Sequence, residues 1–520
     1  MFFIVLVFIG AKSPIWGYDE YVSVISHLEL EDQRVLNIYY EYFPSLIPRY
    51  ISDIILTIFI IPIRWTYAIG ISPIYSISRV FDIEWTYLRL IFLAFHSFFS
   101  LIGLKLIYKV FHNNFESKFL LLIFTTLLFF SFPFLYWTST LSSYSYHLFC
   151  FGMILFNETT DTSVGQNFLC KKSFRRSIIQ LFNYQYIPIV FISGLYNLFK
   201  YKKTFFTTKK YKEWILPGII SIITLFFLIL RSILTNKHSN PTDSAFANKD
   251  KFDIWSNTSG FFDLVEFFMS RIYDITSYFF QIENYHMLLS DRFSALNLFW
   301  VIVSLLIFAV FFIFSLKVKS KVVNFLLLII TTNIIFYFLG IYPFTPSRHS
   351  LISFLPFISL VSILIYLLLK NIKIKLIYTT IALIPFVLSL YNLNKSYNIE
   401  SSPLQKEFLL STLSSYSVDR LVLVPCDQEP LFFMRDINKY KPLYKCGPKV
   451  IEFLDKGFYR FGVYSKNKVS YDSVVNSIKP FLKNNNVNFI FVNQVVQKPI
   501  IENNNSGNVI HTITIVDVKM

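Results

Sequence analysis

Two adjacent carboxylates, Asp19 and Glu20, stand a few residues after the apolar run MFFIVLVFIG that opens the chain. If that run enters a membrane, the pair lies just beyond the lipid surface, at the start of an aromatic-rich loop. An acid at the edge of hydrocarbon is costly unless it faces protein or water, so such residues mark substrate or ion paths. A carboxylate there can act as a general base, taking the proton of a hydroxyl as its oxygen attacks a sugar carbon. Asp19 is the candidate base, with Glu20 supporting it or holding a cation. Trp16, Tyr18 and Tyr21 flank the pair with rings that combine an apolar body and a polar edge, as sugar-binding surfaces do. The competing reading is a solvated pair of interfacial acids.

A second polar group occurs far downstream, Arg348 and His349 in PSRHSLISFLPF. The planar guanidinium fork donates paired hydrogen bonds to phosphate, so an arginine at the mouth of a cavity can hold a lipid-phosphate leaving group; snorkelling toward headgroups is the alternative. His349 together with carboxylates would suit a divalent cation, although no complete ligand set is written in the sequence. Arg89 falls near the outer end of an apolar stretch and is a further candidate ligand for the donor phosphate, and Tyr144, Tyr146 and His147 occupy a polar turn, TSTLSSYSYH, in which Tyr144 and His147 are candidate substrate contacts. Each of these also reads as an interfacial anchor.

The elements that must position these residues are membrane helices. Of 520 residues, 54% are hydrophobic and 15% charged, against about 25% charged in an ordinary soluble chain, and the apolar residues come in bilayer-length blocks. The net charge of +16 does not point to nucleic acid, because Lys and Arg cluster in short turns between those blocks, as the positive-inside rule expects. Four cysteines are too few for a disulfide framework. Cys426 and Cys446 share the polar C-terminal region and could bridge in an oxidising compartment. The first segment lacks the positive n-region and small-residue site of a cleaved signal, which favours an uncleaved first span.

In order, residues 12–49 form an acidic loop placed outside, and 50–70, with Asp53, Pro62 and Arg64, suits an interfacial or re-entrant helix. Spans are expected at 86–110, 119–137 and 143–156, leading to an inner loop with Lys171, Lys172, Arg175 and Arg176. Residues 176–200 are expected as two half-helices broken at Asn183, Tyr184 and Gln185, because both flanks are basic. Spans at 214–232, 295–316, 322–341, 350–369 and 376–391 follow, with a long outer loop, 233–290, read as an active-site cover. The expected fold is therefore a multi-pass α-helical membrane protein of about ten spans, residues 1–392, with its first outer loop at 12–85 and its N-terminus cytoplasmic.

Residues 393–520 form an external α/β domain in this reading. LQKEFLLSTLSSY is helix-periodic, RLVLVPC reads as a buried strand, YDSVVNSIKPFLKNN as a helix, NFIFVNQ as a strand and VIHTITIVDV as an edge strand. No phosphate loop, zinc spacing or nucleophile motif occurs in it.

These residues, in this order, resemble the GT-C superfamily of integral-membrane glycosyltransferases, and especially bacterial members similar to protein O-mannosyltransferases, aminoarabinose transferases and lipopolysaccharide-core sugar transferases. The first span followed by Asp19 and Glu20, the Pro-x-Leu stretch from Pro44, Leu88, Arg89 and Leu90 opening the next span, Pro133 with Tyr144, and Arg348 before a span containing Pro356 carry the resemblance over residues 1–392. His349 stands where the family has tyrosine. The resemblance implies that the first-loop Asp is the base, that the donor is a polyprenyl-phosphate sugar, that transfer inverts the anomeric centre, and that catalysis occurs on the periplasmic or extracellular face of a bacterial cell membrane. The acceptor would be a lipid, glycan or protein of the envelope. The turn TSTLSSYSYH lacks the acid and arginine of many relatives, which leaves cation use and acceptor class open.

The rivals are an O-antigen-type polysaccharide polymerase, which would need paired arginines such as Arg271 and Arg292 in large outer loops, and a non-catalytic flippase or transporter, which would favour charged residues within spans or internal repeats. The sidedness is testable: cysteines introduced near Lys203 and near Asn485 should label from opposite sides of the membrane, and labelling from one side overturns the scheme.

Overall fold

The computed structural model describes residues 1–12, 85–141, 143–160, 172–207, 212–223, 320–338, 350–370, 375–397, 402–424, 440, 443–444, 454, 456–465, 470–482, 487–496 and 512–519, with single positions at 81, 226, 260, 263, 271–272, 275, 279, 313 and 318. The described residues divide into a helical unit, Met1–Gly10 with Tyr87–Lys395, and a second unit, Ala11, Lys12, Phe81, Trp85 and Thr86 with the residues from Ser396 onward.

In the helical unit, α1 (Phe2–Lys12) and α2 (Trp85–Phe115) precede a bent pair, α3 (Lys118–Phe130) and α4 (Phe132–Thr138). Arg89–Phe115 and Leu351–Leu369 are long and apolar enough to cross a membrane, and the bent pair makes a third candidate if counted as one span. At 1.5 Å per residue the 27-residue stretch reaches about 40 Å, more than a hydrocarbon core of about 30 Å. The other described helices carry exposed apolar faces. On α7 (Ile187–Thr207) these are Phe191 and Phe199; on α10 (Lys375–Tyr397) they are Leu383, Phe386, Val387 and Leu390, at helical spacing. Such faces suit hydrocarbon rather than water.

The stretch expected as a span, 119–137, is bent: α3 and α4 meet at 89°. Ser131 is extended and caps α4, its hydroxyl accepting from the Phe134 N–H at 3.2 Å. Pro133 follows in the first turn of α4, where its missing N–H is harmless. The expected break near Asn183 is present as α6 (Lys172–Phe182), a 3-10 turn (Tyr184–Tyr186) and α7. Arg176 lies 3.5 Å above the Trp214 ring, and a Cβ on Gly194 would sit 3.1 Å from the same indole. Residues on both sides of the break, Arg176 on α6 and Gly194 on α7, therefore lie against one indole, Trp214. Arg176 is also held at 2.7 and 3.0 Å by Glu158, at the end of α5 (His147–Thr159). A cation expected among solvated loop charges is thus buried in a fork-to-fork ion pair.

Prolines cost this bundle backbone donors, and asparagines from neighbouring helices replace them. Pro133 cannot donate to the Phe129 carbonyl four residues back, and Asn392 Nδ2 on α10 reaches that oxygen at 2.6 Å. Pro356, inside α9 (Leu351–Leu369), likewise strands the Ile352 carbonyl. Asn333 on α8 (Lys321–Phe338) donates to it at 3.4 Å.

The second unit is a mixed sheet of order β2-β1-β3-β5-β4 with helices α11 (Ser402–Ser415) and α12 (Tyr471–Ile478). The strands are β1 (Arg420–Val424), β2 (Leu443–Tyr444), β3 (Phe458–Ser465), β4 (Asn488–Val496) and β5 (Thr512–Lys519). The strands β1, β2 and β3 run parallel, and β5 is antiparallel to both β3 and β4. The helices and strands expected from sequence are present, but β5 is central rather than at the edge, because β4 takes the outer position. Its residues Thr512–Val518 are buried on both faces. Strand β3, FYRFGVYS, is an addition that sequence reading missed. Val422, Phe461, Val463, Val516 and Val518 pack with Val474 and Ile478 of α12. On the other face Gly462 lets Leu413 of α11 close on the sheet, since a Cβ there would lie 2.8 Å from its methyl. Arg460 pairs with Asp517 directly across the β3–β5 ladder, at 2.7 and 2.9 Å. That hydrogen bond raises the guanidinium above its ordinary pKa against a smaller desolvation effect, so Arg460 stays protonated across the physiological range.

Removing the donor from a stranded carbonyl should be costly. Asn392→Leu is expected to cost about 1–3 kcal/mol, read as a lowered melting temperature of the purified protein. For Asn333→Leu the cost should shrink when Pro356→Ala restores the helix's own donor, and a double-mutant cycle with no coupling would refute that account.

Candidate functional site

Of the residues singled out above, Asp19, Glu20, Trp16, Tyr18, Arg348 and His349 lie outside the described residues, as do Cys426 and Cys446. Arg89, Tyr144 and His147 are described, and all three are buried. Arg89, in the second turn of α2, directs Nη1 to the Gly10 carbonyl at 2.7 Å. Gly10 belongs to the last turn of α1, where carbonyls have no intrahelical donor. A Cβ on Gly10 would lie 2.5 Å from the Ser139 carbonyl and 2.8 Å from Leu93. The end of α1 therefore lies against the backbone of the residue that closes α4 and against side chains from the start of α2.

The same short helix α4 meets the start of α9. Phe134 lies 5.7 Å from Phe354, ring to ring, and Phe279 stacks on Phe354 at 4.1 Å. Phe279 comes from the 233–290 segment expected to form a cover. Ser350, two residues after Arg348, is buried at the N-cap of α9.

Tyr144 sits in a 3-10 turn, Ser143–Tyr146, that leads into α5. It stacks on His147 with rings 6.0 Å apart and 19° from parallel, and Trp137 meets its edge at 6.1 Å. His147 is gripped by the break between α6 and α7. Asn183 Nδ2 donates to its Nε2 at 3.3 Å, while Nδ1 faces the Tyr186 hydroxyl at 3.4 Å. That hydroxyl donates to the His147 carbonyl at 3.0 Å. A single direction satisfies all three contacts: the ring carries its proton on Nδ1 and gives it to Tyr186. His147 thus holds Tyr144 against the break, and Tyr144 and Trp137 present the aromatic surface.

Sequence reading missed His96. This histidine lies inside α2 and is buried, with Nδ1 2.9 Å from the Ser145 hydroxyl and Nε2 3.4 Å from the Tyr146 hydroxyl. Ser100 donates to the Ser145 carbonyl at 3.2 Å. The signal was present: His96, Ser100 and Gly103 are spaced four and three residues apart, which places them on one helix face. That face meets α5. A Cβ on Gly103 would collide with the Leu148 carbonyl and lie 2.7 Å from the Phe149 Cα, and one on Gly152 would collide with the Gly103 carbonyl. Two glycines let the backbones touch, as small residues do between membrane helices, and that approach brings Ser145 to His96.

The arrangement offers a buried polar framework behind an aromatic surface. Among the described residues no three His, Cys, Asp or Glu side chains group as a metal site. No family model, curated protein or solved structure matches this chain.

Closing the α2–α5 gap depends on both glycines. Gly152→Ala is expected to cost about 1–3 kcal/mol by overpacking, measured by thermal unfolding in detergent. Gly218→Ala, where nothing lies within 4 Å, should be neutral or slightly stabilising.

Proposed function

We propose that this chain is a membrane glycosyltransferase of GT-C type, moving a sugar from a polyprenyl-phosphate donor to a cell-envelope acceptor on the outer face of the membrane. The single observation that carries this reading is the double anchoring on α4. The chain leaves α1 for Asp19 from Gly10, packed on Ser139 just after α4, and arrives from Arg348 at α9, whose Phe354 packs on Phe134 of α4. The helix α4 has seven residues, or about 10 Å of length. The approaches to the proposed base and to the proposed phosphate ligand therefore start from the two ends of one short helix. Beside them stand Arg89 and the Trp137, Tyr144 and His147 stack.

In this mechanism the Asp19 carboxylate takes the acceptor hydroxyl's proton while that oxygen bonds to the anomeric carbon. The bond from that carbon to the phosphate oxygen breaks on the opposite side, which inverts the centre, and the lipid phosphate leaves with the electron pair. Arg348 and His349 receive the charge that develops on the phosphate. Arg89, engaged through Nη1 by the Gly10 carbonyl, sets the end of α1. Trp16, Tyr18 and Tyr144 form the sugar surface, with His147 holding Tyr144 from behind, and Glu20 supports the base. The 233–290 segment, seated through Phe279 on Phe354, keeps water from competing with the acceptor.

The test is Asp19→Asn, which keeps size and removes the base. Glycan and lipid profiles of a strain lacking the protein, complemented with the variant, should resemble those of the uncomplemented strain, with transfer reduced about 100-fold or more at unchanged membrane abundance. Unchanged transfer removes Asp19 from the role.

A further inference from the structure

The sheet of the second unit changes character along one face. Near α12 that face is apolar, with Phe461 and Val463 on β3 and Val516 and Val518 on β5. Two residues further along each strand it becomes polar. Thr514 pairs with Val463 on one side and with Gln494 on the other, and Thr512 pairs with Ser465 and Val496. Directly paired residues of an antiparallel ladder share a face, so Thr512, Thr514, Ser465 and Gln494 form one patch. Both threonines are fully buried. Thr512 Oγ1, Thr514 Oγ1 and Gln494 Nε2 have no hydrogen-bond partner. Buried polar groups are nearly always paired, so three unpaired ones in adjacent ladder positions call for an explanation.

Their place in the topology supplies one. The strands β1, β2, β3 and β4 all point the same way, with β5 reversed, so the patch lies at the edge where four strands end and β5 begins. In open α/β sheets ligands bind outside the carboxyl ends of the strands, and the patch lies at that end of β3 and β4. Its chemistry narrows the ligand. The unpaired atoms are two hydroxyls, each donor and acceptor, and one amide N–H₂ donor. The nearest charges on the ladder, Arg460 and Asp517, pair with each other in register positions of the opposite face. Among the described residues the patch offers neutral donors and acceptors, which match a neutral polyhydroxyl compound.

We infer that the polar patch of Thr512, Thr514 and Gln494 at the carboxyl edge of the sheet binds a neutral saccharide. The inference stands apart from the transferase reading, since it concerns the five-stranded sheet alone. The ligand enters between the strand ends, and its hydroxyl oxygens complete the hydrogen bonds that the protein leaves open.

The experiment is saturation-transfer NMR on the full-length protein in nanodiscs, with methyl glucoside, methyl galactoside, methyl mannoside and N-acetylglucosamine as probes. At least one probe should receive saturation, and Thr512→Val/Thr514→Val should weaken that binding at least about tenfold. The same variant should melt no lower than the wild type, since it removes unpaired hydroxyls at constant volume. If it fails to fold, Gln494→Leu on the edge strand provides the comparison, with the same loss expected. Saturation that the Thr512→Val/Thr514→Val variant loses reports this patch, while glycan and lipid profiles report transfer, so failure here is distinguishable from failure of the transferase reading. The inference is overturned if none of the four probes receives saturation from the wild type, or if the folded variant binds as the wild type does.

Discussion

A carbonyl inside an apolar bundle must find a donor within the protein, because no water is there to supply one. Much of the described helical unit is arranged around that demand. Helices end or bend where the sequence places a proline or a turn, and each such place strands an oxygen. Gly10 is served by Arg89, Phe129 by Asn392, Ile352 by Asn333 and Phe115 by Tyr366. Three of these bonds join helices far apart in the chain, and the Asn333 bond joins the consecutive helices α8 and α9. The polar residues of the apolar helices are therefore the rivets of the bundle, and they fix which helices are neighbours. The 89° bend between α3 and α4 is possible because Asn392 covers the oxygen that Pro133 leaves open.

The bend has a functional consequence. It turns α4 away from the direction of α3, so that a seven-residue helix can touch the end of α1 at one end and the start of α9 at the other. A straight span over 119–137 would have carried Phe134 and Ser139 along the bundle axis instead. The turn after α4 is in turn steadied from behind. The α6–α7 break grips His147 through Asn183 and Tyr186, and α2 holds Ser145 and Tyr146 through His96. The grip from α2 rests on the Gly103–Gly152 contact that draws α5 against it. An aromatic surface at Trp137 and Tyr144 thus depends on residues that never reach it.

The second unit solves a different problem. It builds a conventional core from alternating strand residues against α12 and seats α11 on the opposite face through Gly462. Its ion pair, Arg460 with Asp517, joins the two central strands from that second face. Only the polar patch at the strand ends departs from this economy, since three buried polar atoms there make no bond within the protein.

Composition and block length were enough to read helices suited to a membrane followed by a small α/β domain, because apolar runs and period-two strands are local properties of the chain. The break at Asn183–Gln185 was legible for the same reason, as a polar interruption between basic flanks. Tertiary structure decided what local patterns do not carry. The Pro133 bend requires a partner 263 residues away, and the central place of β5 depends on β4 taking the edge. His96 acquires its meaning only when two glycines on separate helices bring Ser145 within 2.9 Å. Arg176 looked like a solvated loop cation and is instead buried against Glu158 and Trp214. In each case the sequence wrote the residue, and the long-range contact decided its role, because burial and hydrogen-bond satisfaction belong to the folded assembly of segments rather than to any one of them.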